Sequence, residues 1–77
     1  MDTENKIFEI VAEVCETETN NITENSSIGD FPLWDSLGHL TILSAIEEVF
    51  EINFEPEKLM ELEDVKNIIN AVKSKLE

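Results

Sequence analysis

Three apolar stripes in this chain repeat at the helical period, and no stretch alternates in the manner of a strand. Ile7, Phe8, Val11, Val14 and Cys15 fall at i, i+1, i+4, i+7 and i+8, a single face about 100° wide on a helix. Ile42, Leu43, Ile46, Val49 and Phe50 cluster in the same way, with His39 on their side. Val65, Ile68, Ile69, Val72 and Leu76 follow i, i+3, i+4, i+7 and i+11. Each stripe must be covered, and 77 residues provide little besides the other two. The expected fold is therefore all-α: a small four-helix bundle in one domain over residues 1–77, with three longer helices and one short one.

Punctuation sets the boundaries. The first helix is expected from Glu4 to Cys15. A long first loop, Glu16 to Asp35, is rich in Thr, Asn and Ser, whose side chains compete with helix by bonding nearby backbone. It also holds Ile22, Ile28, Phe31, Leu33 and Trp34, so it should pack over the helices rather than float. Gly29 and Pro32 fix its turns. Asp35 is a good N-cap for a second helix, Ser36 to Glu51. Pro56 suits the first position of a short third helix ending at Met60 or Glu61. Asp64 caps a fourth, Val65 to Leu76, where Lys73 and Lys75 complement the helix dipole.

The formal charge of −13, from 18 acidic residues against 5 basic ones, argues against nucleic acid, since neutralising phosphates takes clustered Lys and Arg. It argues equally against anionic membranes and favours partners with basic surfaces. From Ile7 to Glu57 there are twelve acidic residues and no Lys or Arg, so the second helix and the loop before it should form the negative face. The lone Cys15 can form neither an intramolecular disulfide nor, with one His, a zinc site. Lying on the first stripe, it reads as a small buried hydrophobe. With Gly29 at position 6 of a calcium loop, position 5 is Ile28, which cannot ligate, and position 12 is Asp35 instead of a bidentate Glu. No metal site is expected. The acidic start Met1-Asp2-Thr3-Glu4-Asn5 lacks the regions of a signal peptide, and no run approaches the ~20 apolar residues of a membrane span. A soluble, cytoplasmic monomer is expected.

The strongest local feature is Asp35-Ser36-Leu37. It sets a serine hydroxyl at a helix N-terminus, where free backbone N–H groups and the positive end of the dipole favour negative charge. A phosphate ester on Ser36 would be stabilised there, although a plain helix cap accounts for the same residues. Leu37 and Leu40 point away from the apolar face of the second helix, as scattered surface residues or as a small docking patch.

The run Asp35-Ser36-Leu37-Gly38-His39-Leu40, followed by Ala45-Ile46-Glu47-Glu48-Val49-Phe50-Glu51-Ile52, resembles the acyl carrier protein family. The four-helix order, the long first loop and the short helix after Pro56 extend the resemblance over essentially the whole chain. It implies 4'-phosphopantetheine attached to Ser36, flanked by Asp35 and Leu37, and a terminal thiol that holds acyl or aminoacyl cargo as a thioester. It implies no catalysis by the carrier itself, a separate phosphopantetheinyl transferase, and client enzymes with basic docking surfaces. Leu37, Leu40, Glu47 and Glu48 match family positions that meet partners. Trp34 is named with them as a partner contact, although anchoring the loop on the core is the commoner fate of an aromatic at a helix entry. His39 faces Ser36 across one turn. Without a nucleophile elbow or a third group it is not a base, and it is placed at the mouth of an acyl pocket.

The sequence departs from the pattern of housekeeping fatty acid synthesis carriers. Gly38 and Thr41 stand where acids are usual, and Ser44 where Met is common. Leu33-Trp34 replaces the Gly-Gly pair of peptidyl carriers. These departures point to a stand-alone carrier of a specialised lipid, polyketide or similar pathway. A D-alanyl carrier of teichoic acid modification, resembled by Ile10 to Cys15 and Asp-Ser-x-Gly, is one alternative. A cofactor-free acidic adaptor bundle is another.

Overall fold

The computed structural model describes residues 3–77. Met1 and Asp2, which begin the acidic stretch read against a signal peptide, lie outside the described residues. The described residues form four α-helices: α1 (Thr3–Cys15), α2 (Ser36–Phe50), α3 (Pro56–Leu59) and α4 (Val65–Leu76). Among the described residues there is no strand, only an isolated antiparallel bridge between Ser27 and Asp64. The boundaries follow the caps. Asp35 and Asp64 sit in extended backbone, and their carboxylates accept the amides of Gly38 and Asn67 at the third helical position. Both α1 and α2 end on a left-handed glutamate, Glu16 and Glu51, each at φ 55°. At the first end, the amides of Glu16 and Thr17 turn back onto the Glu13 and Ala12 carbonyls. At the second, Glu51 and Ile52 turn back onto Glu47. These turns satisfy last-turn carbonyls and stop α2 one residue before the expected Glu51.

α1 packs against both α2 and α4. Ile7 and Val11, then Ile42, Leu43 and Ile46, then Val65, Ile68 and Val72 are fully buried. The connections complete the core with Ile22, Trp34, Phe54 and Leu62. Burying a side chain of that size stabilises the fold by roughly 1.5–3 kcal/mol each. Cys15 is buried on the α1 stripe, as its periodicity predicts. Two expected core positions are not covered. Val49 remains 47 % exposed because it borders an open notch beside Lys6, Ile10 and Glu13, where α1 does not reach over it. Leu76, on the last residue of α4, is also exposed.

The connection between α1 and α2 is more ordered than a plain loop. A 3-10 turn spans Thr19–Asn21. Beyond it the chain docks on the start of α4, whose first amides lack intrahelical partners. Val65 donates to the Ser26 carbonyl (2.9 Å) and Lys66 to that of Glu24 (3.0 Å), while Ile28 donates to Glu63 (3.0 Å). Buried Ser26 accepts the Thr23 amide through its hydroxyl. The segment then reverses at Gly29, whose φ of +96° is a conformation side chains avoid. Its amide donates to the Trp34 carbonyl at 2.7 Å. The residues before Ser36 are thus fixed by backbone bonds on both sides.

Candidate functional site

Ser36 is the first residue of α2 and is exposed. The cap geometry decides what its surroundings offer. The Asp35 carboxylate takes the Gly38 amide at 2.8 Å, and the Asp35 carbonyl takes that of His39 at 2.8 Å. The amides of Ser36 and Leu37, and the Ser36 hydroxyl, have no hydrogen-bond partner among the described residues. An accessible hydroxyl therefore stands beside two free donors at the positive end of a 15-residue helix. Asp35 acts as the cap without help from Ser36, so the serine is not consumed by a structural role.

Beside the exposed Asp35, leucines flank Ser36. Leu37 is 75 % exposed, and Leu33 and Leu40 are a little over two-fifths exposed. Beyond them the helix carries no charge until Glu47. Thr41 turns its hydroxyl onto the Leu37 carbonyl at 3.0 Å, so even this polar side chain serves its own helix. Gly38 has a steric cause. A Cβ there would overlap the Leu33 carbonyl oxygen, so the loop backbone lies directly against the helix at this residue. Its φ is helical, and the requirement is space rather than backbone freedom.

The two glutamates expected at the partner surface differ. Glu48 is exposed. Glu47 is half-buried, and its carboxylate accepts the Phe54 amide at 2.7 Å, closing the turn between α2 and α3. That carboxylate already has an intramolecular task.

Two expectations need correction. The Trp34 ring is fully buried, so it anchors the loop and presents no surface to a partner. His39 is 1 % exposed and does not open onto a pocket mouth. Its Nδ1 accepts the Trp34 indole N–H at 3.0 Å, and its Nε2 lies 3.0 Å from the Leu59 carbonyl. An indole N–H only donates and a carbonyl only accepts, so the proton sits on Nε2. The ring planes are within 17° and their centroids 6.3 Å apart, which sets the two rings edge to edge, as an in-plane N–H···N bond requires. The ring turns away from Ser36 toward the core. A groove of about 430 Å³ between α3 and α4 is lined by residues including Phe54, Lys58, Leu62 and Lys75, and His39 is not among them.

Sequence reasoning missed the steric role of Gly38, the Glu47–Phe54 bond and the pairing of Trp34 with His39. The last left a faint signal, since a histidine on an apolar helix face needs polar partners and an indole N–H lay five residues away. The other two depend on how the chain returns to α2 and leave no trace in the order of residues.

No helix among the described residues is long and apolar enough to cross a membrane. A search of curated proteins finds no match. The family model for the phosphopantetheine attachment site, by contrast, matches residues 5–72. That domain is the attachment site for 4'-phosphopantetheine, and its members act as non-catalytic carriers. The head of α2 suits such a group, with an exposed hydroxyl beside two amides that have no intrahelical partner. With nearly its whole length matched, the chain belongs to the phosphopantetheine-attachment family of carrier proteins, to which the acyl carrier proteins belong.

Proposed function

We propose that Ser36 bears the 4'-phosphopantetheine arm and that the chain carries acyl or aminoacyl groups between enzymes of a specialised biosynthetic pathway. The observation behind the serine assignment is the exposed, unbonded hydroxyl at the start of α2, beside the free amides of Ser36 and Leu37. Attachment joins the serine oxygen to the phosphorus of the arm and breaks the pyrophosphate link of coenzyme A, with adenosine bisphosphate leaving. The serine proton goes to a base on the transferase. When bound, the arm supplies a thiol that holds cargo as a thioester. The chain's own residues do the rest. Asp35 fixes the first turn of α2, the free amides of Ser36 and Leu37 would donate to the phosphate, and Leu33, Leu37 and Leu40 offer an apolar rim to whichever enzyme approaches.

The client enzymes are read from the charge near the serine. Gly38 and Thr41 leave the first two turns of α2 without an acid beyond the cap, and negative charge gathers at Glu47, Glu48 and Glu51. Partners with an apolar centre and basic groups at the far end of α2 suit this arrangement better than those that read charge beside the serine. This supports a dedicated pathway over the housekeeping synthase. The test is incubation with coenzyme A, Mg²⁺ and a promiscuous phosphopantetheinyl transferase, followed by intact mass measurement. One phosphopantetheinyl group is expected on the parent chain and none on Ser36→Ala. A parent that stays unmodified with several transferases, or an adduct that survives in the variant, refutes the assignment.

A further inference from the structure

We infer that His39 is a positioning residue, one that ties the serine segment and α3 to the same turn of α2. The inference rests on Ser36 being the attachment point. His39 is the only described residue whose side chain bonds both regions. On one side it accepts from Trp34, two residues before Ser36. The Trp34 backbone is held as well, its amide on the Phe31 carbonyl (2.9 Å) and its carbonyl on the Gly29 amide (2.7 Å). The indole is therefore a rigid extension of the chain that leads into Ser36, and the imidazole sets where it lies against α2.

On the other side, Nε2–H donates to the carbonyl of Leu59, the last residue of α3. This helix has one turn and contributes no buried residue. Between the buried Phe54 and Leu62 that flank it, it meets the bundle through the half-buried Leu59 side chain and through this bond to a carbonyl that has no intrahelical partner. The bond to the indole is buried and the bond to Leu59 part-buried; without His39 the indole N–H is left a buried donor with no acceptor. Because one ring makes both, the seat of α3 and the orientation of the serine segment are linked: a shift of Leu59 that drags the imidazole also drags the indole.

The two halves can be separated by substitution. Asn places its amide oxygen near the position of Nδ1 and does not reach Leu59. Gln reaches Leu59 with its amide N–H and leaves the indole without its acceptor. Leu fills the space and makes neither bond. Loading of Ser36 from coenzyme A, with the carrier as varied substrate, reports on the serine segment. Hydrogen exchange at the Lys58 and Glu61 amides, bonded within α3 and its end, reports on α3 and needs no loading at all.

H39L should lower kcat for loading about two- to tenfold, the equivalent of one net hydrogen bond, with KM within about twofold because the exposed docking residues are untouched. The same variant should speed exchange at Lys58 and Glu61 by a similar factor. H39N should rescue loading and leave α3 exchange fast. H39Q should rescue slow exchange and leave loading impaired. W34F, which keeps an aromatic ring in the core and removes the donor, should slow loading and leave α3 exchange unchanged. Wild-type loading and exchange in H39L would overturn the inference. So would H39N and H39Q that each fail in both readouts, the mark of general destabilisation. A wild-type chain that takes no arm removes the serine assignment, while the exchange pattern of H39N, H39Q and W34F still decides whether His39 separates the two regions as described.

Discussion

Replacing Gly38 with alanine should reverse the usual sign of that substitution. Inside a helix, Gly→Ala ordinarily stabilises by about 1 kcal/mol, because alanine loses less backbone entropy. At Gly38 the new methyl would overlap the Leu33 carbonyl oxygen and lie 3.1 Å from the carbonyl carbon. Both atoms are backbone, so no rotamer change relieves the contact. Nor is the Leu33 peptide free to swing. The next residue is held by the Phe31 carbonyl and the Gly29 amide, and its ring by His39. Overpacking against fixed neighbours costs about 1–3 kcal/mol. Rigid backbone on both sides puts this case in the upper half of that range. After the propensity gain is subtracted, a net loss of about 1–2 kcal/mol remains. For a domain of this size each kcal/mol moves Tm by about 4–8 °C, so G38A should melt roughly 5–15 °C below the parent. Circular dichroism melts and urea titrations with an unchanged m-value would show it. If Gly38 instead marks only the choice of client enzymes, alanine fits freely and the chain gains about 1 kcal/mol. A Tm equal to or above that of the parent refutes the steric argument. G38D, which restores the acid usual in housekeeping carriers, should behave as G38A does, and a stable G38D would refute it independently.

Further measurements probe other parts of the molecule. E47A removes the acceptor of the Phe54 amide and should cost about 1–2 kcal/mol in urea unfolding, as expected for a half-exposed bond to a carboxylate. E48A, on an exposed side chain, should stay within about 0.5 kcal/mol, and equal losses for the two would contradict the division of roles drawn between them. Burial pushes the Cys15 thiol above its ordinary value of 9.0. The unfolded chain then ionises first as pH rises, so this contribution to stability is present below about 9 and lost above it. The alkaline fall in urea midpoint should be shallower in C15A than in the parent, and parallel pH profiles would show that Cys15 contributes nothing to it.

Much of the fold was legible because helices advertise themselves through period and caps. Asp35 and Asp64 are local signals that work through the next three residues, and the structure uses both as expected. The stripes of α1, α2 and α4 name most of the core, since a face about 100° wide on each helix has to be buried somewhere. Val49 shows the limit of that reasoning. Period assigns a residue to a face, but whether a neighbouring helix covers that face at that height depends on crossing geometry. The loop was legible in outline only. Its apolar residues required packing, yet its backbone bonds to the start of α4 join residues about forty positions apart in the chain.

The candidate site divides along the same line. Asp35, Ser36 and Leu37 form a contiguous motif, and the sequence by itself determined that a serine hydroxyl stands at a helix N-terminus in an acidic chain of carrier-like order. That follows because capping, the helix dipole and the charge distribution are all set by residues close together in the chain. Only the tertiary structure decided which neighbouring side chains remain available to a partner. It took Trp34 and His39 into the core as donor and acceptor, engaged Glu47 with Phe54, and pressed the Leu33 carbonyl against Gly38. Each of these depends on a loop returning to α2 from elsewhere, and a burial or a contact made by such a return belongs to two segments at once.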